Sequence, residues 1–175
     1  MGAFTKQKDT IQRESNLIFV VTGTQEPFDR MISIIDQWSQ NQVKYNVIAQ
    51  TANSVLKVKS IKCYDFLEPD VFTELFTKAE IIISHAGMGS IIKALENKKK
   101  IIIFPRLAKF KEHRNNHQVF TAKNFEKSKN INVAYDEKDL LSLLSNIDSL
   151  TFKETNSLKA SENLINSISE FIRNS

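Results

Sequence analysis

Ser84-His85-Ala86-Gly87-Met88-Gly89-Ser90 follows directly on Ile81-Ile82-Ile83 and runs into Ile91-Ile92. An apolar run that stops at a small, glycine-bearing turn and resumes with helical spacing is the build of an anion site. Three consecutive isoleucines read as a strand buried on both faces, and the residues after Met88 carry helical periodicity. The turn therefore feeds a helix N-terminus. There the first backbone N–H groups lack intrahelical partners and the peptide dipoles present partial positive charge, so a phosphate is a natural occupant. Gly87 and Gly89 remove side chains that would hold a pyrophosphate away from that backbone. A ligand-free strand-turn-helix also needs glycine at such a turn, so other segments must decide between the two.

Two more segments carry polar chemistry. Thr22-Gly23-Thr24-Gln25-Glu26-Pro27-Phe28 is a glycine turn with two hydroxyls. Pro105-Arg106-Leu107-Ala108-Lys109-Phe110-Lys111-Glu112-His113 is rich in cations, and Asn115, Asn116, His117 and Gln118 offer donors and acceptors suited to sugar hydroxyls.

The elements that must position these segments alternate. Strands are expected at residues 17–22, 45–49, 62–66, 80–84, 100–104 and 131–134, and helices at 29–40, 69–78, 89–97, about 113–126 and 137–144. That pattern is a parallel α/β sheet with helices on both faces, which places ligands at the carboxyl ends of its strands, where all three segments fall. Residues 1–16 form a polar extension, and 17–150 form one domain. Within 151–175, Leu158, Leu164, Ile165, Ile168, Phe171 and Ile172 predict a final amphipathic helix packed on the domain or on a partner.

The chain has 175 residues, 41% hydrophobic and 25% charged, a composition suited to one globular domain. No apolar run approaches the roughly 20 residues that span a bilayer, and the first sixteen residues lack a signal-peptide core. Cytoplasm is the expected compartment. One cysteine, Cys63, forms no internal disulfide or metal cluster and reads as a packed thiol. The net charge of +4 is uneven: lysine and arginine crowd residues 93–129. Without interleaved aromatics on a strand platform, or a known nucleic-acid motif, no nucleic-acid partner is expected. An anionic lipid surface or a phosphorylated substrate fits the same charge. Lys98, Lys99 and Lys100 read as a solvated loop before a strand.

Several enzyme classes fall away. A dinucleotide fingerprint belongs after the first strand with three glycines, whereas that loop has only Gly23. Ser84 and Ser90 lack the flanking glycines of a nucleophile elbow, and no Gly-Lys-Ser/Thr phosphate loop is present.

Taken as a set, Phe19-Val20-Val21-Thr22-Gly23-Thr24, Pro27-Phe28-Asp29-Arg30, Ala49-Gln50, Tyr64-Asp65-Phe66-Leu67, the 84–90 motif, Pro105-Arg106, Glu112-His113 and Asn116-His117-Gln118 resemble the glycosyltransferase family 28 C-terminal domain. More narrowly they resemble the small donor-binding subunits of split glycosyltransferases. These include the E-type subunits of bacterial capsule and exopolysaccharide assembly, and the cytosolic subunit of the dolichol-linked N-acetylglucosaminyltransferase. The resemblance implies a Rossmann-like fold, the C-terminal half of a GT-B enzyme. It implies metal-independent, inverting transfer from a UDP-sugar, UDP-galactose first, to a lipid-linked saccharide, with a membrane-associated partner supplying the acceptor half. No cofactor beyond the donor substrate is implied, and self-association is left open.

The same resemblance assigns roles. His85, Ala86, Gly87, Met88, Gly89 and Ser90 would hold the UDP diphosphate on backbone amides. Phe66 and Leu67 would line the uracil pocket, and His117 and Gln118 would touch the transferred sugar. Gly23 and Thr24 would close on the phosphates or face the acceptor, and Arg106 belongs to the same set. The catalytic base stays unknown, with Glu112 and His113 as local candidates and the partner chain as the other source. Three positions depart from the family pattern. Lys93 stands where a glutamate binds the ribose hydroxyls, and a lysine cannot accept those bonds; Glu96 lies three residues on. Gln25 follows Thr24 where the bacterial pattern has an additional histidine, and Asn115-Asn116 replaces an acidic pair. A non-catalytic subunit that only stabilises or recruits its partner is the alternative reading.

Overall fold

The structure, a computed structural model, describes residues 16–153; the expected C-terminal helix and residues 1–15 of the polar extension lie outside the described residues. Six parallel strands form one sheet in the order β3-β2-β1-β4-β5-β6. They are β1 (Leu17–Val21), β2 (Asn46–Gln50), β3 (Lys62–Tyr64), β4 (Ile81–His85), β5 (Lys100–Phe104) and β6 (Ile131–Val133). β1 pairs with β2 through Phe19 opposite Ile48 and with β4 through Phe19 opposite Ile82. The β-branched runs are buried as their composition requires: Ile18, Ile81, Ile82, Ile83, Ile101, Ile102 and Ile103 are all fully buried.

Five helices cover the sheet: α1 (Asp29–Ser39), α2 (Pro69–Lys78), α3 (Met88–Glu96), α4 (His117–Phe125) and α5 (Glu137–Ser145). On one face Met31, Ile32 and Ile35 of α1 and Leu140 and Leu144 of α5 pack on Ile18, Val20, Ile83 and Phe104. On the other, Leu75 and Phe76 of α2, Ile91 and Ala94 of α3 and Ala122 and Phe125 of α4 pack on Phe19, Ile48, Ile82 and Ile103. The split follows from chirality. The chain moves outward from β1 to β2 in one direction and from β4 to β6 in the other, so crossovers of one hand deposit their helices on opposite faces. Proline stands in the first turn of α2, and Asp136 caps α5 by accepting from the Asp139 amide.

Two expectations are corrected. The helix predicted from about residue 113 begins at His117; a 3-10 turn, Ala108–Phe110, and irregular backbone precede it. Lys111 adopts a left-handed conformation (φ 58°), and Asn115 Oδ1 accepts from the His117 amide at 3.1 Å in a local turn, so the helix starts only after Asn116, its N-cap. Nor are Lys98–100 merely solvated. Lys99 Nζ donates to the Thr77 and Ala79 carbonyls, the open end of α2, and Lys100 pairs with Glu80 at 3.0 Å.

Asp36, a buried carboxylate on α1, accepts from the backbone N–H groups of Lys59, Ser60 and Ile61 at 3.0, 2.7 and 3.3 Å, tying the entry to β3 onto the helix. Removing it takes a charged acceptor from three amides, of which the Ile61 amide belongs to a buried residue. Asp36→Ala should lower unfolding free energy by about 1–3 kcal/mol, the range for losing hydrogen bonds to a charged group. The exposed pair Glu74–Lys78 sets the baseline: Glu74→Ala should cost under about 1 kcal/mol. Urea unfolding of both variants checks the contrast.

Candidate functional site

The strand order reverses between β1 and β4, and at their carboxyl ends lies a cavity of about 770 Å³. Open α/β sheets bind ligands at such a point because the flanking loops diverge to opposite faces and leave a crevice. Its walls are the loop after β1, the turn between β4 and α3, the segment after β5, and the start of α4.

The floor is α3's N-terminus. Gly87 precedes the helix in extended conformation, and no side chain caps it. The first-turn amides therefore keep the unmet donors that helix geometry imposes. An added Cβ at Gly89 would meet nothing within 4 Å, so glycine there leaves room for a ligand to approach those amides. Met88, Gly89 and Ser90 all line the cavity, whereas Ala86 is buried in the core beneath.

Gly87 has a different reason from the one its spacing suggested. A Cβ there would lie 2.1 Å from His85 Nε2, and at Gly23 (φ 96°) one would lie 3.2 Å from His85 Cε1. The two glycines enclose the imidazole. His85 Nδ1 lies 3.3 Å from the Val21 carbonyl, which can only accept, so that nitrogen carries the proton. Nε2 is left without a partner among the described residues, beside the cavity wall. Burial pushes the imidazole's pKa down to about 4 against the pull of the Val21 carbonyl, with Arg106 and His113 adding smaller downward pushes. His85 is accordingly neutral near pH 7 and presents a polar, uncharged edge beside the helix terminus.

Arg106, expected among the binding residues, is buried at the cavity wall with both terminal nitrogens engaged by backbone. Nη1 donates to the carbonyls of Pro27 and Glu112 at 2.7 and 3.2 Å, and Nη2 to those of Thr22 and Glu26 at 2.7 and 2.5 Å. The guanidinium also lies 4.6 Å from the centre of the Phe28 ring. It fixes the loop after β1, carrying Gly23, Thr24, Gln25 and Glu26 at the cavity edge. Glu112 is likewise committed. Its two oxygens accept from Arg30 Nε and Nη2 at 2.7 and 2.8 Å, and one also from the Leu107 amide at 2.9 Å. A carboxylate whose oxygens are taken up by a bidentate guanidinium pair and a backbone amide is fixed as a structural link rather than aimed into the cavity. His113 lines the cavity with Nδ1 3.1 Å from Asn115 Oδ1.

The remaining predicted residues divide. Gln118 reaches the cavity, but its Oε1 accepts from the Arg106 amide at 3.1 Å. His117 is exposed and does not line it. Phe66 and Leu67 lie off the cavity. β3 is the sheet's edge strand, so Phe66 is half-exposed there, while Leu67 is buried in the core with its N–H donating to Gln50 Oε1 at 3.0 Å. The wall on that side is Phe72, held edge-on to Phe19 at 5.2 Å. Lys93 stands over Phe72 and Phe76, with Nζ 4.9 and 5.2 Å from the ring centres and 3.3 Å from Thr73 Oγ1.

Sequence reasoning passed over Phe72, Arg114 and Glu26 as site residues. Phe72 sits mid-helix with no local signal. Glu26 stood in the quoted loop, and it is the exposed carboxylate on the cavity wall that makes no hydrogen bond or ion pair among the described residues.

The fit between His85 and Gly87 is measurable. Gly87→Ala should cost about 1–3 kcal/mol of stability through overpacking, and most of that cost should vanish when it is made in a His85→Ala background. A double-mutant cycle by urea unfolding reads the coupling.

The family model described as the glycosyltransferase family 28 C-terminal domain matches residues 17–174. No curated protein matches by sequence. Among solved structures, ALG13 in solution is similar with a TM-score of 0.59 and 20% identity, over 86% of this chain and 95% of that one. The glycotransferase of kitacinnamycin is similar with a TM-score of 0.59 and 12% identity, over 93% of this chain and 41% of that one. MurG of Acinetobacter baumannii gives 0.58 and 14% identity, over 81% of this chain and 44% of that one. The chain thus spans less than half the length of the last two. At these identities the likeness concerns the fold, and it agrees with the expected Rossmann-like C-terminal half of a GT-B architecture. With the family model covering nearly the whole described domain, this chain belongs to the glycosyltransferase family 28 C-terminal domain family.

Proposed function

We propose that this chain is the donor-binding part of an inverting glycosyltransferase that takes a UDP-sugar and, with a membrane-associated acceptor-binding partner, transfers a hexose to a lipid-linked saccharide. The observation that carries the reading is the uncapped N-terminus of α3, opening at the β1–β4 reversal beside a glycine with free space above it. A diphosphate there meets backbone N–H groups and the positive end of the helix dipole without a metal ion. The neutral Nε2 edge of His85 adds no charge, and Arg114 lines the same cavity.

In the reaction the acceptor hydroxyl oxygen attacks the anomeric carbon, the bond from that carbon to the β-phosphate oxygen breaks, and UDP leaves carrying the electron pair. The α3 amides stabilise the charge that gathers on the departing phosphate. A base must take the hydroxyl proton. With Glu112 held by Arg30, the local groups on the cavity wall suited to the task are His113 and Glu26, and the other source is the partner chain. Galactose as the sugar, and polysaccharide assembly as the pathway, rest on the sequence resemblance.

One observation favours the second reading, a non-catalytic subunit. The lysine in place of the ribose-binding glutamate is accommodated between α2 and α3 by two aromatic rings and a hydroxyl, as a settled feature of the packing.

Calorimetric titration with UDP should show saturable binding by the native chain. Gly89→Asp, whose side chain has room in the fold and whose carboxylate suits a helix N-terminus, should weaken it at least about tenfold, or roughly 1.4 kcal/mol. Equal affinity in both would remove the diphosphate from this turn. Lys93→Glu should change UDP affinity by less than about threefold if the ribose is held by other groups; a gain above about tenfold would favour the degenerate, non-catalytic reading.

A further inference from the structure

The segment after β5 and the outer face of α4 form a basic surface that extends beyond the cavity they help to line. Between residues 106 and 129, Lys109, Lys111, Arg114, Lys123, Lys127 and Lys129 are exposed, and the single exposed acid is Glu126. The other acid of this stretch, Glu112, is neutralised by Arg30. Within this charge stand two phenylalanines with open rings, Phe110 at 52% and Phe120 at 44% exposure. Lys109 Nζ lies 4.9 Å from the centre of the Phe110 ring, and the Arg30 guanidinium 5.1 Å from it.

The turn carrying Lys109 and Phe110 and the loop carrying Arg114 are both fixed to the start of α4. Asn116 Oδ1 accepts from the Ala108 amide at 3.1 Å, which ties the turn carrying Lys109 and Phe110 to the start of α4. Asn115 Oδ1 accepts from the His117 amide at 3.1 Å and faces His113, binding the loop with Arg114 to the same helix end. Along α4, Phe120 and Lys123 are three residues apart and so share a face.

We propose that this surface docks the protein on an anionic lipid bilayer. Separated aromatic side chains, each flanked by cations, are the composition of segments that lie at the lipid headgroup boundary. A protein partner fits less well, because the centres of protein interfaces are depleted of lysine and present contiguous apolar area. Arg114 and Gln118 belong both to this segment and to the cavity wall, so the bilayer would lie beside the cavity mouth, where a lipid-linked acceptor could reach it. That purpose rests on the donor-site reading; the docking itself does not.

The test is flotation of the full chain, without nucleotide, on vesicles of phosphatidylcholine alone and of phosphatidylcholine with phosphatidylglycerol. Binding is expected only with the anionic lipid, and should fall as salt is raised. Each lysine removed should weaken partitioning about fivefold, so Lys109→Glu/Lys111→Glu should lose at least about 25-fold. Phe110→Ser/Phe120→Ser should also weaken binding, while a charge-matched control outside the surface, Lys57→Glu/Lys78→Glu, should retain most of it. No binding by the native chain, binding indifferent to phosphatidylglycerol, or binding by the two surface variants as strong as that of the native chain would overturn the proposal. Titration of the same variants with UDP reads the cavity separately: retained UDP affinity excludes misfolding, and absence of UDP binding in the native chain would count against the donor reading without touching the vesicle result.

Discussion

Everything at the carboxyl edge of this sheet depends on one buried cation. Arg106 stands just past β5, yet its guanidinium collects carbonyl oxygens from Thr22, Glu26 and Pro27 of the loop after β1 and from Glu112 of its own segment. A charge out of water is costly unless its donors are met, and here four carbonyls and the Phe28 ring meet them. The loop after β1 and the segment after β5, which arrive from opposite sides of β4, are thereby given one common geometry. Arg30 repeats the device one layer out, gripping Glu112 and the Pro105 carbonyl and lying against the Phe104 ring. Lysine could not replace either residue, since only a planar fork addresses several acceptors in fixed directions.

Much of the fold was legible because the strands are runs of β-branched residues whose burial on both faces leaves no ambiguity of side. β5 and α2 were placed to the residue, and the remaining elements within a residue or two, apart from α4. That helix was read too early because neither proline nor glycine interrupts 111 to 116, while Asn115 and Asn116 suit a turn as well as a helix start. The turn is what forms, with Lys111 in the left-handed region and the Asn116 side chain reaching back to the Ala108 amide. Charged residues deceived as well. Lys99, Arg106 and Glu112 looked like surface or ligand groups by type, and each proves to be tied to backbone or to a buried partner.

The site was legible in outline and not in detail. A strand, a glycine turn and a helix announce an anion site from local pattern alone, and the uncapped α3 terminus agrees with it. Which glycine does what is a tertiary matter. Gly89 opens space as its motif suggested, but Gly87 and Gly23 make room for an imidazole, and Gly23 stands in the loop after β1, far in sequence from the histidine that needs it. Phe72 is in the cavity wall only because Phe19 and the packing of α2 bring it there.

Both borders of the sheet are very short: β3 and β6 have three residues each, against five in β1, β2, β4 and β5. A border of that length offers few free backbone groups for another chain to continue the ladder, which is how soluble sheets avoid indiscriminate stacking. Among the described residues, growth by strand addition is therefore disfavoured, and contacts between molecules fall to side chains on helices and loop tips, which can form and separate while each member keeps its own fold intact.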